Sequence, residues 1–350
     1  MLAPVTLQAP HERADSCSPV GGVRYPSSMA VDAKILDWLL DSDPALRWQV
    51  QRDLAEASPE IWEATRTRVA LEGFGARLLS KQDADGQWAG GAYFPAGFFG
   101  SPEADKPGQP WTATTWVLKD LREWGLDATV LAGTADKLAA NSRWEYDDLP
   151  YWGGEVDVCI NSFTLANGAW LGADVSELAA WFPAHRLEDG GWNCEAEEGN
   201  STRSSFHSTL NAIRGLLAFE TITGDTTLRD ARRGGEEYLL ERRLLYRATT
   251  GDQVGDFVTQ FVYPNRYRYS ALAALDYFRD AALLEGTAPD PRLAEAVNVV
   301  RAARRSNGRW VQGAPLEGRT WFDIDAAEGE PSPWLTLSGT RVLSWWDSNT

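Results

Sequence analysis

The sequence is poor in the residues on which several protein classes depend. Only three cysteines occur in 350 residues, Cys17, Cys159 and Cys194. An odd and sparse set cannot build a closed disulfide framework, so a reducing, cytoplasmic setting is expected. No apolar run approaches the roughly 20 residues needed to span a bilayer, and no secretory leader is recognisable, so no membrane insertion is expected. Positive charge is scarce: 33 Lys and Arg against 50 Asp and Glu leave a net charge of −17. Such a surface repels phosphate backbones and anionic lipid, which argues against nucleic acid as a partner. Alternating strand patterns are almost absent. Histidine is limited to His11, His185 and His207.

What the chain does carry is aromatic surface. It has 17 Trp and 12 Phe, and its hydrophobic fraction of 43% is enough for one large core. That much aromatic area lines a core or an apolar cavity. Residues 1–28 are rich in Pro, Ser and Gly without periodicity and read as a disordered segment. Met29 opens the first periodic stretch and is a candidate true start, in which case His11 and Cys17 carry no function. Residues 29–350 show no linker and read as one domain.

One pattern recurs three times: Gln82 to Gly86 and Trp88, Arg186 to Gly190 and Trp192, and Arg304 to Gly308 and Trp310. Each follows a helical stretch. Gly suits the left-handed position at a helix end, and Trp can pack back over that end. Between these turns, amphipathic segments (34–41, 60–81, 129–142, 175–186, 228–246, 290–305) alternate with segments apolar on all sides (44–57, 110–125, 157–173, 205–222, 267–283, 332–346). Helices apolar all round belong inside, and one-faced helices belong outside. Six of each predict an all-α fold, an (α/α)6 toroid with inner and outer rings. Its inner N-termini would gather at a cavity mouth. Trp111, Thr112, Thr115, Tyr267, Tyr269 and Trp334 hold early positions on the inner segments, and with Trp152 they form a candidate aromatic substrate pocket. Core packing is the competing role for about half of them. Arg266 is a candidate to orient an anionic group, or lies in solvent.

Two of the inner starts carry chemistry. Glu155-Val-Asp157-Val-Cys159 opens one, and Ser205-Phe206-His207-Ser208 opens the next. Asp157 and Cys159 diverge on a regular helix but can converge at a loop-to-helix junction. His207 sits at a matching level on the neighbouring helix, with packed axes roughly 8–10 Å apart. A thiolate, a carboxylate and an imidazole are the donors of a catalytic Zn²⁺ with an open fourth position. Cys194, two residues after Trp192, is either a spare ligand or a turn cysteine, with the turn favoured. Glu145-Tyr-Asp147-Asp148 reads as a solvated turn, as does the run Glu195, Glu197 and Glu198.

At these residues the chain resembles the β subunits of protein prenyltransferases, which share a toroid with squalene–hopene and other class II terpene cyclases. The repeated Gly-turn-Trp unit is similar to the cyclase QW motif. Val156-Asp157-Val-Cys159-Ile-Asn-Ser-Phe163 resembles the prenyltransferase segment V-D-x-C-x-S-F, and Gly190-Gly191-Trp192 with Ser205-Phe206-His207-Ser208 resembles its G-G-F and D-F-Y-H-T segments. The resemblance implies zinc held by Asp157, Cys159 and His207. It also implies activation of a substrate thiol for alkyl transfer; a small, largely apolar substrate in the central cavity is expected, and zinc-bound water is the other chemistry such a site could supply. The family's basic residues before Asp-x-Cys have no counterpart in Tyr151–Val156, so a prenyl diphosphate donor is not implied there. Nothing marks a surface for an α-subunit partner. Two alternatives stay open: a metal-free class II cyclase-like enzyme with Asp157 as general acid, and a non-catalytic toroid that binds a small molecule or a protein.

Overall fold

Helix formation follows the apolar periodicity closely. The computed structural model describes residues 31–350, so the segment 1–28 lies outside the described residues. Every regular element described is helical, and the extended pairings reduce to isolated bridges. The amphipathic segments become α1 (Ala33–Leu40), α3 (Pro59–Thr67), α4 (Gly73–Leu79), α6 (Thr134–Asn141), α8 (Ser176–Ala184), α10 (Arg229–Glu241) and α12 (Ala294–Ala303). The apolar segments become α2 (Pro44–Asp53), α5 (Thr114–Glu123), α7 (Val158–Leu171), α9 (Phe206–Thr223), α11 (Ala271–Glu285) and α13 (Pro333–Asn349). None of these helices is long and apolar enough to cross a membrane.

Four of the six apolar helices, α2, α9, α11 and α13, start at a side-chain cap. Ser205, Ser270 and Ser332 each accept a hydrogen bond from a backbone N–H in the first turn of α9, α11 and α13, which satisfies donors the helix cannot. Two expected starts move. Residues 110–113 lie outside the helix, because the Trp111 N–H donates to the Arg319 carbonyl at 2.8 Å and the Gln109 N–H to the Glu317 carbonyl at 3.2 Å. Residues 267–270 also precede their helix, since Ser270 is the cap. The expected helix over 60–81 is broken between Thr67 and Gly73. There Asp43, which caps α2, also accepts from the Phe74 N–H at 2.8 Å and so starts α4.

The repeated turn has one physical form in all three copies. Gly86, Gly190 and Gly308 sit at φ of +94°, +94° and +81°, where a Cβ would be strained. The following indole N–H then donates to a carbonyl ten residues back: Trp88 to Leu78 at 2.7 Å, Trp192 to Phe182 at 2.9 Å, and Trp310 to Val300 at 3.0 Å. The same tryptophan's backbone N–H donates to a threonine hydroxyl on the next apolar helix: Thr114 at 3.0 Å, Thr209 at 3.1 Å and Thr336 at 3.1 Å. Each turn is thus a clasp that ties the end of an amphipathic helix to the start of an apolar one. All three indoles are fully buried.

Packing follows the chain in order. Helix α5 packs on α7, α7 on α9, α9 on α11, α11 on α13, and α13 on α2. The Trp48 indole of α2 donates to the Trp124 carbonyl just after α5 at 2.8 Å. Helices α7 and α9 approach closely, and a Cβ on Gly215 would meet the Ser162 carbonyl oxygen at 2.7 Å. The first turns of these two helices carry Cys159 and His207.

Candidate functional site

Asp157 occupies the cap position of α7, yet its side chain makes no capping bond there. What holds it in place is Asn161. Its Oδ1 accepts from the Glu155 N–H at 2.7 Å, and its Nδ2 donates to the Glu155 carbonyl at 2.6 Å. The backbone of Glu155 is thus clamped two residues before Asp157, and Cys159 follows in the first turn of α7. The Trp192 clasp delivers a second thiol to the same place. Cys194 Sγ lies 3.2 Å from Cys159 Sγ. Ser208 Oγ accepts from the Cys194 N–H at 3.1 Å and lies 3.4 Å from its sulfur. Asn211 Nδ2 donates to Cys159 Sγ at 3.3 Å and to the Tyr267 carbonyl at 2.9 Å.

Asp157, both thiols and Ser208 line a cavity of about 620 Å³. Its acidic side is Glu145, Glu155, Asp157 and Glu195, with the two thiols and His207. Its apolar side includes Tyr93, Phe94, Trp144, Ile160 and Tyr267. No Lys or Arg lines it. Burial raises the Asp157 carboxyl above its usual range, and the nearby Glu195 and Glu198 push the same way, while a hydrogen bond with Cys194 opposes both. Burial, then the charge of Asp157, pushes Glu155 up to about 7. One Glu155 oxygen, Oε1, is buried with no hydrogen-bond partner. The two thiols titrate as a pair. Their mutual hydrogen bond holds Cys194 down and Cys159 up, so Cys194, the less buried, ionises first.

His207 stands against the ring of Phe257 at 4.5 Å between centroids, and its Nδ1 accepts from the Tyr269 N–H at 2.9 Å. A neutral imidazole that accepts at Nδ1 carries its proton on Nε2. Neither nitrogen then offers a free lone pair. Burial lowers its pKa, and so does Arg268. Among the described residues, no three His, Cys, Asp or Glu side chains stand close enough together to hold a metal ion as they lie. The cluster brings two sulfurs side by side, with the Asp157 carboxylate on the same cavity wall and no Lys or Arg in the lining.

Of the candidate substrate residues, only Tyr267 lines this cavity. Trp111 is buried, its indole donating to Glu317 at 3.2 Å. Thr115 Oγ1 shares a hydrogen bond with the Tyr151 hydroxyl at 2.9 Å inside the core, and Thr112 is buried too. The Trp152 indole donates to Ala135 at 3.0 Å, and the Tyr269 hydroxyl to Leu244 at 2.8 Å. Trp334 stacks on Tyr263 at 4.3 Å and lines a different cavity. Arg266 is buried against Asp120 at 3.0 Å, which neutralises it, so it neither faces solvent nor is free to orient an anion. Glu145, read as part of a solvated turn, keeps an exposed flank while its carboxylate accepts from the N–H groups of Ala92, Tyr93 and Phe94 at 3.0–3.1 Å. Glu195, read as part of a solvated run, is exposed and lines the cavity rim. The group that residue spacing undervalued is Cys194. Its signal was present in its position, two residues beyond a clasp tryptophan whose place is fixed on both sides.

No family model and no curated protein matches the chain. A solved structure of a protein from Actinoplanes overlays on 88% of this chain and 91% of its own, with a TM-score of 0.41 and 15% identity. A likeness of that degree assigns neither a fold family nor an activity, so function has to be read from the cavity itself.

Proposed function

We propose that the chain is an enzyme acting on a small, largely apolar molecule in the thiol–carboxylate cavity, with zinc held by Asp157, Cys159 and Cys194. One observation carries this reading: two cysteine sulfurs 3.2 Å apart on the wall of a cavity that holds carboxylates and no Lys or Arg. Two thiolates at that distance repel strongly where water is sparse, and a divalent cation is what lets both ionise together. The same cation would return Asp157 to its ionised form. When bound, zinc would supply Lewis acidity to a substrate thiol or to a water. The chain's own residues supply the rest. Tyr93, Phe94, Trp144 and Tyr267 shelter the apolar body of the substrate. Glu155, which lines the same cavity, can take or return a proton. His207 would join as a fourth donor only by releasing the Tyr269 N–H. A reducing cytoplasm is the setting in which the two thiols stay unbridged.

The scaffold for this reading is an (α/α)6 toroid. The order of helix contacts supports it, as does a second cavity touched by α2, α5, α7, α9, α11 and α13 alike.

Metal content by mass spectrometry tests the proposal. Close to one zinc per chain is expected, lost in Cys159→Ser and in Cys194→Ser. Zinc retained by both variants, or absent from freshly purified and zinc-supplemented protein, overturns it. His207→Ala reports whether the ring joins. A second reading, acid catalysis by Asp157 without metal, is favoured by the raised pKa values of Asp157 and Glu155. It expects Asp157→Asn to abolish turnover while Cys194→Ser is mild.

A further inference from the structure

The second cavity, about 630 Å³, has the opposite electrostatic character. One side of it is balanced. Arg52, Arg279 and Arg341 surround the buried Asp53 at 2.6, 3.6 and 3.3 Å, and Asp276 and Asp280 pair with Arg341 and Arg279. The other side is not. Lys119, almost wholly buried on α5, meets Glu123 at 2.7 Å. Arg122 reaches the same carboxylate at 3.8 Å and spends its Nε on Asn167 at 3.1 Å. Arg214 of α9 faces the same space and makes no hydrogen bond or ion pair among the described residues. Asp120, nearby, is already neutralised by Arg266. Three cations around Glu123 leave two positive charges uncompensated there, while Arg66, also in the lining, donates to the Gly125 carbonyl at 2.8 Å and lies near Asp127, all within a protein whose net charge is −17. Burying like charges together is costly unless something anionic completes them. The remaining walls are apolar: Phe163, Ala166, Trp170, Leu217 and Trp334.

We infer that this cavity is a binding site for an amphiphilic small molecule with a doubly charged oxyanion head, placed between Lys119, Arg122 and Arg214, and an apolar body against Phe163, Trp170 and Leu217. The charge excess selects the head: a monocarboxylate cancels one charge, whereas a phosphate monoester or a dicarboxylate cancels both. Arginine at two of the three positions suits bidentate contact with either. The site is separate from the thiol–carboxylate cavity and does not depend on zinc there.

Titration with decyl phosphate at pH 8, below its micelle threshold, tests the inference, read by calorimetry and by the fluorescence of the lining tryptophans. Decylmalonate distinguishes a dicarboxylate source from a phosphate one, and decanoate and decanol serve as controls. Saturable binding at least tenfold tighter for a dianion than for decanoate is expected, weakened at least tenfold in Arg214→Gln and by added salt, and unchanged in Cys159→Ser and Cys194→Ser. Arg122→Gln gives the same reading should Arg214→Gln not fold. Equal binding of decanol and the dianions, indifference to both arginine substitutions, or no binding at millimolar ligand overturns it. Loss of zinc binding with this binding intact would remove only the catalytic proposal.

Discussion

Replacing Asn161 with Ala should unfasten the start of α7 and with it the candidate site. Asn161 is wholly buried, and both ends of its amide serve one residue, the N–H and the carbonyl of Glu155 at 2.7 and 2.6 Å. Alanine removes both partners and leaves two backbone polar groups buried without replacement. Each such group costs about 1–3 kcal/mol, so the expected loss is about 4 kcal/mol. That is a large share of the roughly 5–15 kcal/mol that holds a domain of ordinary stability together. Urea unfolding measures it, as a lower midpoint with little change in slope. Asn161→Asp is the informative companion. It keeps an acceptor for the N–H but sets a carboxylate oxygen against the Glu155 carbonyl, so it should be no more stable than the alanine variant at pH 8. Because Asp157 lies two residues past the clamp, zinc occupancy should fall in both variants even where they remain folded. A loss under 1 kcal/mol for Asn161→Ala, with occupancy unchanged, would mean that the clamp does not order residues 155–157 and that Asp157 is held in place by something other than Asn161.

The three clasps should behave as one device. Thr114→Val, Thr209→Val and Thr336→Val each keep the side-chain shape and leave a buried tryptophan N–H unpaired, so each should cost about 1–3 kcal/mol and a few degrees in Tm. Widely unequal losses would refute their equivalence. Asp325 offers a pH test away from the candidate site. Burial pushes its carboxyl up to about 7, against a hydrogen bond from Ser332 at 2.5 Å, and its other oxygen is buried without a partner. The folded state therefore holds a proton that the unfolded chain releases near pH 4, so stability should fall as pH rises from about 4 to 7. Asp325→Asn should flatten that slope and gain about 2 kcal/mol at pH 8, allowing for partial solvent reach. Parallel pH curves for the two proteins would refute it.

The readable part of this protein is the part governed by local periodicity. A repeat of apolar residues every three to four positions placed α2, α7, α9 and α13 within a few residues of their ends, because an amphipathic or apolar pattern acts within one helix and needs no knowledge of the partner. The Gly-turn-Trp unit was equally visible, since a left-handed glycine is a local demand. What sequence spacing could not supply is any pairing across distance. Arg266 looked available until Asp120, 146 positions away, was packed against it. Cys194 looked like a turn residue until the Trp192 clasp brought its sulfur to Cys159, 35 positions earlier. Trp111, Thr115 and Tyr269 had the right composition for a pocket, but helix packing turned them into the core. The cationic cavity is assembled from six helices, none of which is strongly basic alone. Local propensity determined where the helices lie along the chain. Which side chains meet, and which charges go uncompensated, was decided only when those helices packed, because burial and Coulomb energy depend on neighbours that the linear order does not specify.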